Sequence, residues 1–212
     1  EAGKTTFEVD ENTGALKSLC LDGEELLASP VTISLFRPAT DNDNRDRMGA
    51  KLWRKAGLHT LTQKVVSLKE SKTSATAQVN ILNVTGKKVG DATLEYTLNH
   101  NGSLKVQTTF QPDTTWVKSI ARLGLTFEMN DTYGNVTYLG RGEHETYIDR
   151  NQSGKIGIYT TTPEKMFHYY VIPQSTGNRT DVRWVKLADD SGKGCWIESD
   201  SPFQFSALPF SD

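Results

Sequence analysis

Two short stretches of this 212-residue chain concentrate the side chains that could do chemistry. One is Arg37-Pro38-Ala39-Thr40-Asp41-Asn42-Asp43-Asn44-Arg45-Asp46-Arg47, which follows the apolar run Val31–Phe36. The other is Glu143-His144-Glu145. Paired carboxyl groups can divide acid and base duty, and Asp41/Asp43 or Glu143/Glu145 would share a face in an extended segment. His144 beside Glu145 is the nearest imidazole–carboxylate pair. A calcium loop of the EF-hand kind needs oxygen ligands at positions one, three and five, glycine at six and glutamate at twelve. Counted from Asp41, those last three positions are Arg45, Asp46 and Leu52, so that reading fails. The four histidines lack zinc-ligand spacing, and no metal site is assigned. A structural reading stands beside each of these. Asp and Asn bend the chain by bonding nearby backbone amides, and Pro38 fixes φ and removes a donor, so the first stretch is also a rigid polar loop leaving a strand.

The elements that would carry these stretches are strands. Ala75, Ala77, Val79 and Ile81 alternate with polar or small residues, as do Leu104, Val106, Thr108 and Phe110, and Ala121, Leu123, Leu125 and Phe127. Such period-two runs make half-buried sheet faces. Asp22-Gly23, Thr85-Gly86, Asn101-Gly102 and Ser191-Gly192 punctuate them, and Asn101-Gly102 is the best candidate for a type I′ hairpin. Met48–Ala56 alone has helical spacing, with Gly57 as a stop. The pattern predicts an all-β protein, a large antiparallel two-sheet β-sandwich occupying residues 1–212 as a single domain.

Net charge is −2 with acids and bases interspersed, which argues against a polyanion partner such as nucleic acid. No apolar run approaches the roughly 20 residues that span a bilayer, so no membrane partner is expected. Cys20 and Cys195 lack metal spacing and read as buried free thiols. They leave the compartment open.

Three blocks carry a family resemblance. Arg37-Pro38 with Thr40-Asp41-Asn42-Asp43 resembles the motif that opens the C-terminal, mutarotase-like domain of the large bacterial β-galactosidases, glycoside hydrolase family two. Tyr138-Leu139-Gly140-Arg141-Gly142-Glu143-His144-Glu145-Thr146-Tyr147-Ile148-Asp149-Arg150 is similar to a second block of that domain. Tyr170-Val171-Ile172-Pro173-Gln174-Ser175-Thr176-Gly177-Asn178-Arg179 is similar to a third, with Ser175 where the family usually has Glu.

The resemblance implies a galactose mutarotase-like supersandwich, cut short at its C-terminal end. It implies a parent enzyme that hydrolyses terminal β-D-galactosides with retention. In that family the two catalytic glutamates lie in a preceding barrel domain, so no catalytic residue is expected here. Asp43, Asn44, Arg45, Asp46 and Arg47 would belong to a loop, running to about Lys51, that borders the substrate site. Arg37, Asp41, Asn42, Gly140, Gly142, Glu145, Tyr147, Asp149, Arg150, Gly177 and Arg179 would be structural motif residues. Arginine forks pairing with Asp41, Asp43, Glu145 or Asp149 are the leading reading, and sugar contacts the lesser one. Trp53, Trp116, Trp184 and Trp196 read as core rather than as sugar-stacking residues. No cofactor is expected in this segment, although the parent family often uses Mg2+ and a monovalent cation bound elsewhere. Partners would be the remaining domains, a galactoside sugar and further copies of the parent in a homo-oligomer. The alternatives are a free-standing aldose 1-epimerase, which needs a converging His/Glu pair, and a non-catalytic carbohydrate-binding module, which needs an exposed aromatic strip.

Overall fold

The computed structural model describes residues 4–45 and 49–210. The chain forms two compact units, one up to Met129 and one from Asn130 onward. The all-β antiparallel expectation holds, with the strands distributed over three sheets.

In the first unit, β1 (Thr5–Val9), β2 (Leu16–Leu21), β4 (Leu27–Ser34) and β9 (Gly124–Met129) form one sheet in that order, with β3 (Glu24–Glu25) paired to β2. β5 (Leu61–Glu70), β6 (Ser74–Asn83), β7 (Lys88–Leu98) and β8 (Leu104–Pro112) form a second as a plain meander. Val9, Leu16, Val31 and Ile33 of the first sheet share one core with Ala77, Val79, Ile81, Leu94 and Tyr96 of the second. This is the two-layer sandwich that alternation on both inner faces dictates. Truncating a fully buried member such as Leu94 to Ala would cost about 2–5 kcal/mol. Tyr96 donates its hydroxyl to the Gly14 carbonyl at 2.9 Å, and burial pushes that hydroxyl's pKa up. Gly14 (φ +70) has to be glycine, since a Cβ there would lie 2.7 Å from Ala77 Cβ.

In the second unit, β10 (Asn135–Gly142), β11 (Lys155–Thr161), β12 (Arg179–Ala188) and β13 (Gly194–Phe205) pair in the order β11-β10-β12-β13. One face of this sheet buries Val136, Tyr138, Val182 and Val185 against Met166, which ends the short α3 (Pro163–Met166).

Three expectations need correction. β6 and β8 carry their predicted stripes, but the third stripe does not, because β9 is only Gly124–Met129 and lies at a sheet edge with Leu123 and Leu125 exposed. The type I′ turn is at Asp22-Gly23, where φ is 54° and 83°, and not at Asn101-Gly102, where only Gly102 has positive φ. Asn101-Gly102 sits instead in a five-residue loop used three times, at 83–87, 99–103 and 189–193. In each loop the first N–H reaches the fifth carbonyl, and the fourth residue, a glycine at positive φ, donates to the first carbonyl. The helical reading of Met48–Ala56 contracts to α2 (Ala50–Lys55), and Met48 lies outside the described residues.

Neither cysteine is fully buried, although both are free. Cys20 lies 3.4 Å from a Glu25 carboxylate oxygen, and burial pushes the Cys195 thiol up to about 11.

Candidate functional site

The first motif is built where β4 runs out through Leu35, which is fully buried, into Phe36 and Arg37. Phe36 meets Trp53 of α2 edge-on, with ring centres 6.5 Å apart, and the Arg37 guanidinium lies 5.5 Å from the Trp53 ring centre. The stretch after Pro38 is not extended. It forms one helical turn, α1 (Asp41–Arg45), so Asp41 and Asp43 do not share a face. Thr40 directly precedes this turn, and Asp43, three residues on, accepts the Thr40 N–H at 2.7 Å, the carboxylate half of a capping box. The same carboxylate takes the Thr40 hydroxyl at 2.8 Å and the Arg37 fork at 2.6 and 3.3 Å. Burial works against ionisation of Asp43, yet the bonds from Arg37 and Thr40 outweigh it and hold the pKa below its usual 3.8. A carboxylate committed to four donors is a weak base and a poor nucleophile. Asp41, Asn42 and Asn44 are exposed, while Asp46 and Arg47 lie outside the described residues.

The second and third blocks are sewn together in the second unit. Thr146, fully buried, donates its N–H to the Asn178 carbonyl at 2.8 Å, and the Asn178 amide returns to the Thr146 carbonyl at 2.8 Å. The Thr146 hydroxyl oxygen accepts from the N–H and the hydroxyl of Thr180. Glu145, whose side chain is 10% exposed, accepts from Arg150 at 2.6 Å, from Gly177 N–H at 2.9 Å and from the Tyr170 hydroxyl. Thr176 closes the loop by taking the His168 N–H at 2.8 Å and donating to the His168 carbonyl at 3.1 Å. Tyr147 donates to Ser175 at 3.1 Å, at the position where the resemblance expects Glu.

Arg179, 3% exposed, meets no carboxylate among its described bonds. It donates to the Tyr138 hydroxyl at 2.9 Å and to the carbonyls of Gly177, Asn178 and Glu143. Arg141 pairs with Asp181, a partner the sequence did not indicate. The motif glycines mark close approaches: a Cβ on Gly140 would lie 2.8 Å from Val182, and one on Gly142 would lie 2.4 Å from the Tyr138 hydroxyl. Gly177 has φ +75° and lies against the Met166 carbonyl.

The acid–base candidates are pulled apart. His144 Nε2 lies 2.9 Å from the Ser153 hydroxyl, whereas Glu145 turns to Arg150 and Tyr170. Glu143 is exposed and contributes its carbonyl to Arg179. Ile148, Tyr169, Val171 and Ile172, beside the latch, are strongly exposed apolar residues. Of the tryptophans, Trp53 is core, bonded to Ser119 at 3.1 Å, and Trp116 carries the Lys87 ammonium over its ring. Trp184 and Trp196 instead stack on each other, with Trp196 half exposed, contrary to the core reading. Thr146, Thr176 and Asn178 were missed as site residues, and only their place inside the motif blocks hinted at them.

The family model for the β-galactosidase small chain matches residues 1–212. The chain belongs to this family. It is 31% identical to a β-galactosidase of Priestia megaterium over 95% of its own length and 19% of that protein. It is 28% identical to one of Bifidobacterium adolescentis over 93% of its length, and 29% identical to one of Kluyveromyces lactis over 97%. The chain thus spans about a fifth of the length of these relatives.

Proposed function

We propose that this chain is a structural segment of a retaining β-galactosidase that hydrolyses terminal β-D-galactosides, and that it contributes shape and assembly rather than the reacting groups. The observation that carries the reading is the family match over residues 1–212, to relatives named β-galactosidase of which the chain covers about a fifth. The geometry supports it from the other side. Asp43 and Glu145, the least exposed carboxylates of the motif blocks among the described residues, are occupied by arginine, threonine, tyrosine and backbone donors, so both act as latches. Asp43, Asn44 and Arg45, the end of α1, are held by the Arg37–Asp43–Thr40 clamp and, with Asp46 and Arg47 next in sequence, border the substrate pocket of the parent. The catalytic glutamates, a Mg2+ ion and a monovalent cation belong to other parts of the parent, which is a homo-oligomer.

The test is hydrolysis of a chromogenic β-galactoside with the anomer of the released sugar followed by NMR. The intact parent is expected to turn over and to release the β-anomer first, whereas the 212-residue chain alone is expected to show no turnover. Turnover by the isolated chain that vanished in Glu143→Gln or Asp43→Asn would overturn the assignment of roles. An aldose 1-epimerase is disfavoured by the separation of His144 from Glu145, and polarimetry on fresh α-galactose checks it.

A further inference from the structure

A strand at the edge of a sheet presents a row of unpaired N–H and C=O groups, and proteins blunt such edges with bulges, proline or lysine. Most edges of the three sheets are guarded in this way. The β1–β2 ladder shifts register at Glu8/Val9, and the β4–β9 ladder shifts twice. β5 carries a bulge after Val65 and two lysines. β8 holds a lysine and ends on a proline, while β13 holds Pro202 and breaks register twice against β12.

β11 is the exception. Its seven residues pair with β10 without a register shift, and among the described residues no strand pairs with its other edge. It contains no proline, and its only charge is Lys155 at the first position. Ile156 and Ile158 stand 45% and 67% exposed on one side of it.

An occupant of this edge has to match it residue by residue, and the β11 sequence matches itself. Antiparallel pairing about a two-fold axis through Ile158 sets Ile158 opposite Ile158, Ile156 opposite Thr160, Gly157 opposite Tyr159 and Lys155 opposite Thr161. β-Branched residues then meet across the exposed side, where such cross-strand pairs are favourable. On the other side, the Tyr159 ring lies back over its own Gly157, with its hydroxyl on the Lys155 carbonyl at 3.0 Å, so glycine leaves room for the ring. The single charge of the strand never faces its own copy. This is the self-complementarity of an isologous contact.

The geometry points to β11 as an interface between two copies of this chain, joining their β11-β10-β12-β13 sheets edge to edge. The inference rests on the reading of the parent as a homo-oligomer and names one contact of that assembly.

The test uses the intact parent and mild oxidation of introduced cysteines, with disulfide-linked peptides mapped by mass spectrometry. Directly opposed residues of an antiparallel pair have Cα atoms about 4.5–5.5 Å apart, within the span a disulfide bridges. Ile158→Cys is therefore expected to link two subunits through position 158. Ile156→Cys alone should form no such link, because its two copies would lie roughly 14 Å apart along the strands. Co-assembly of Ile156→Cys subunits with Thr160→Cys subunits should restore it. In a second measurement, Ile158→Lys sets two ammonium groups face to face, and sedimentation velocity should show subunit dissociation at protein concentrations at least about tenfold higher than in wild type. Absence of the link at position 158, an equally strong link from Ile156→Cys alone, or unchanged dissociation of Ile158→Lys would overturn the proposal. β-Galactoside hydrolysis by the wild-type parent is measured in parallel. Its absence would sink the enzymatic reading, while the disulfide pattern would still report whether the two edges meet.

Discussion

The Arg37–Asp43 clamp and the Glu145–Arg150–Tyr170 latch use the same chemistry over very different chain distances. Asp43 gathers donors from three and six residues away. Glu145 gathers them from 5, 25 and 32 residues away. Closing a short loop sacrifices little entropy, so the first clamp orders one turn as β4 ends. The second joins two motif blocks to β10 and β12 and fixes the loop that exposes Tyr169, Val171 and Ile172. One carboxylate shapes a local corner, and the other decides where a distant segment lies.

The harshest way to break this contrast is at Arg179, which completes the long-range latch from below. Arg179→Ala strips a buried donor from the Tyr138 hydroxyl and three carbonyls. Each buried group left unsatisfied costs about 1–3 kcal/mol, so a loss on the order of 3 kcal/mol or more is expected. It would appear as faster amide exchange across residues 143–147 and 175–180 of the intact protein. Unchanged exchange there would show that the guanidinium is dispensable.

Glu145→Gln should be milder, because the amide oxygen can still accept from Gly177 while the charge opposite Arg150 is lost. About 1–2 kcal/mol is expected. Protease cleavage should rise selectively between Phe167 and Ile172. Equal sensitisation around Thr40 would contradict the separateness of the two latches.

Arg37→Ala comes next, at about 1–2 kcal/mol, because the two side chains keep 23% and 18% of their exposure and solvent weakens the pair. The sign of its pH dependence is fixed. The folded pKa of Asp43 is depressed, so its contribution is present above its unfolded value of 3.8 and is lost as pH falls through the lower folded value. Asp43→Asn should therefore flatten acid unfolding of this segment below pH 3.8. An identical acid limb in wild type and variant would break the assignment.

The smallest effect calibrates the others. Lys17 and Glu8 form an ordinary surface pair at 3.1 Å, with side chains 44% and 66% exposed. Glu8→Gln should cause only a marginal loss of stability in urea titrations. A larger loss would mean that simple ion pairing, rather than latch geometry, sets the values above.

The same contrast explains what could be read in the sequence. Arg37 and Asp43 fall within one motif, so their pairing follows from spacing and charge. The partners of Glu145 do not, because nothing local announces that Tyr170 and Gly177 return to it. For Arg141 the sequence offered Asp41, Asp43, Glu145 or Asp149, but its true partner Asp181 is brought close by the β10–β12 pairing. The stripes of β6 and β8 were legible because one face of their sheet packs on the core while the other meets solvent, which imposes alternation. Leu123 and Leu125 misled because β9 is short, begins only at Gly124 and leaves Leu125 exposed at the sheet edge. Asn101-Gly102 was rightly seen as a hairpin, but two letters could not show that Asn99 and Ser103 close the loop around it.

That loop also bears on how the protein ages. Asn-Gly is the dipeptide most prone to deamidation, which begins when the glycine amide nitrogen attacks the asparagine side-chain carbon. Here the Gly102 N–H is held by the Asn99 carbonyl at 3.0 Å. The Asn101 side-chain oxygen is held by the N–H and the hydroxyl of Ser103, at 3.0 and 2.8 Å. The turn that joins β7 to β8 therefore restrains both ends of the reacting pair, and loss of the Ser103 bonds would set the chemical lifetime of this hairpin running.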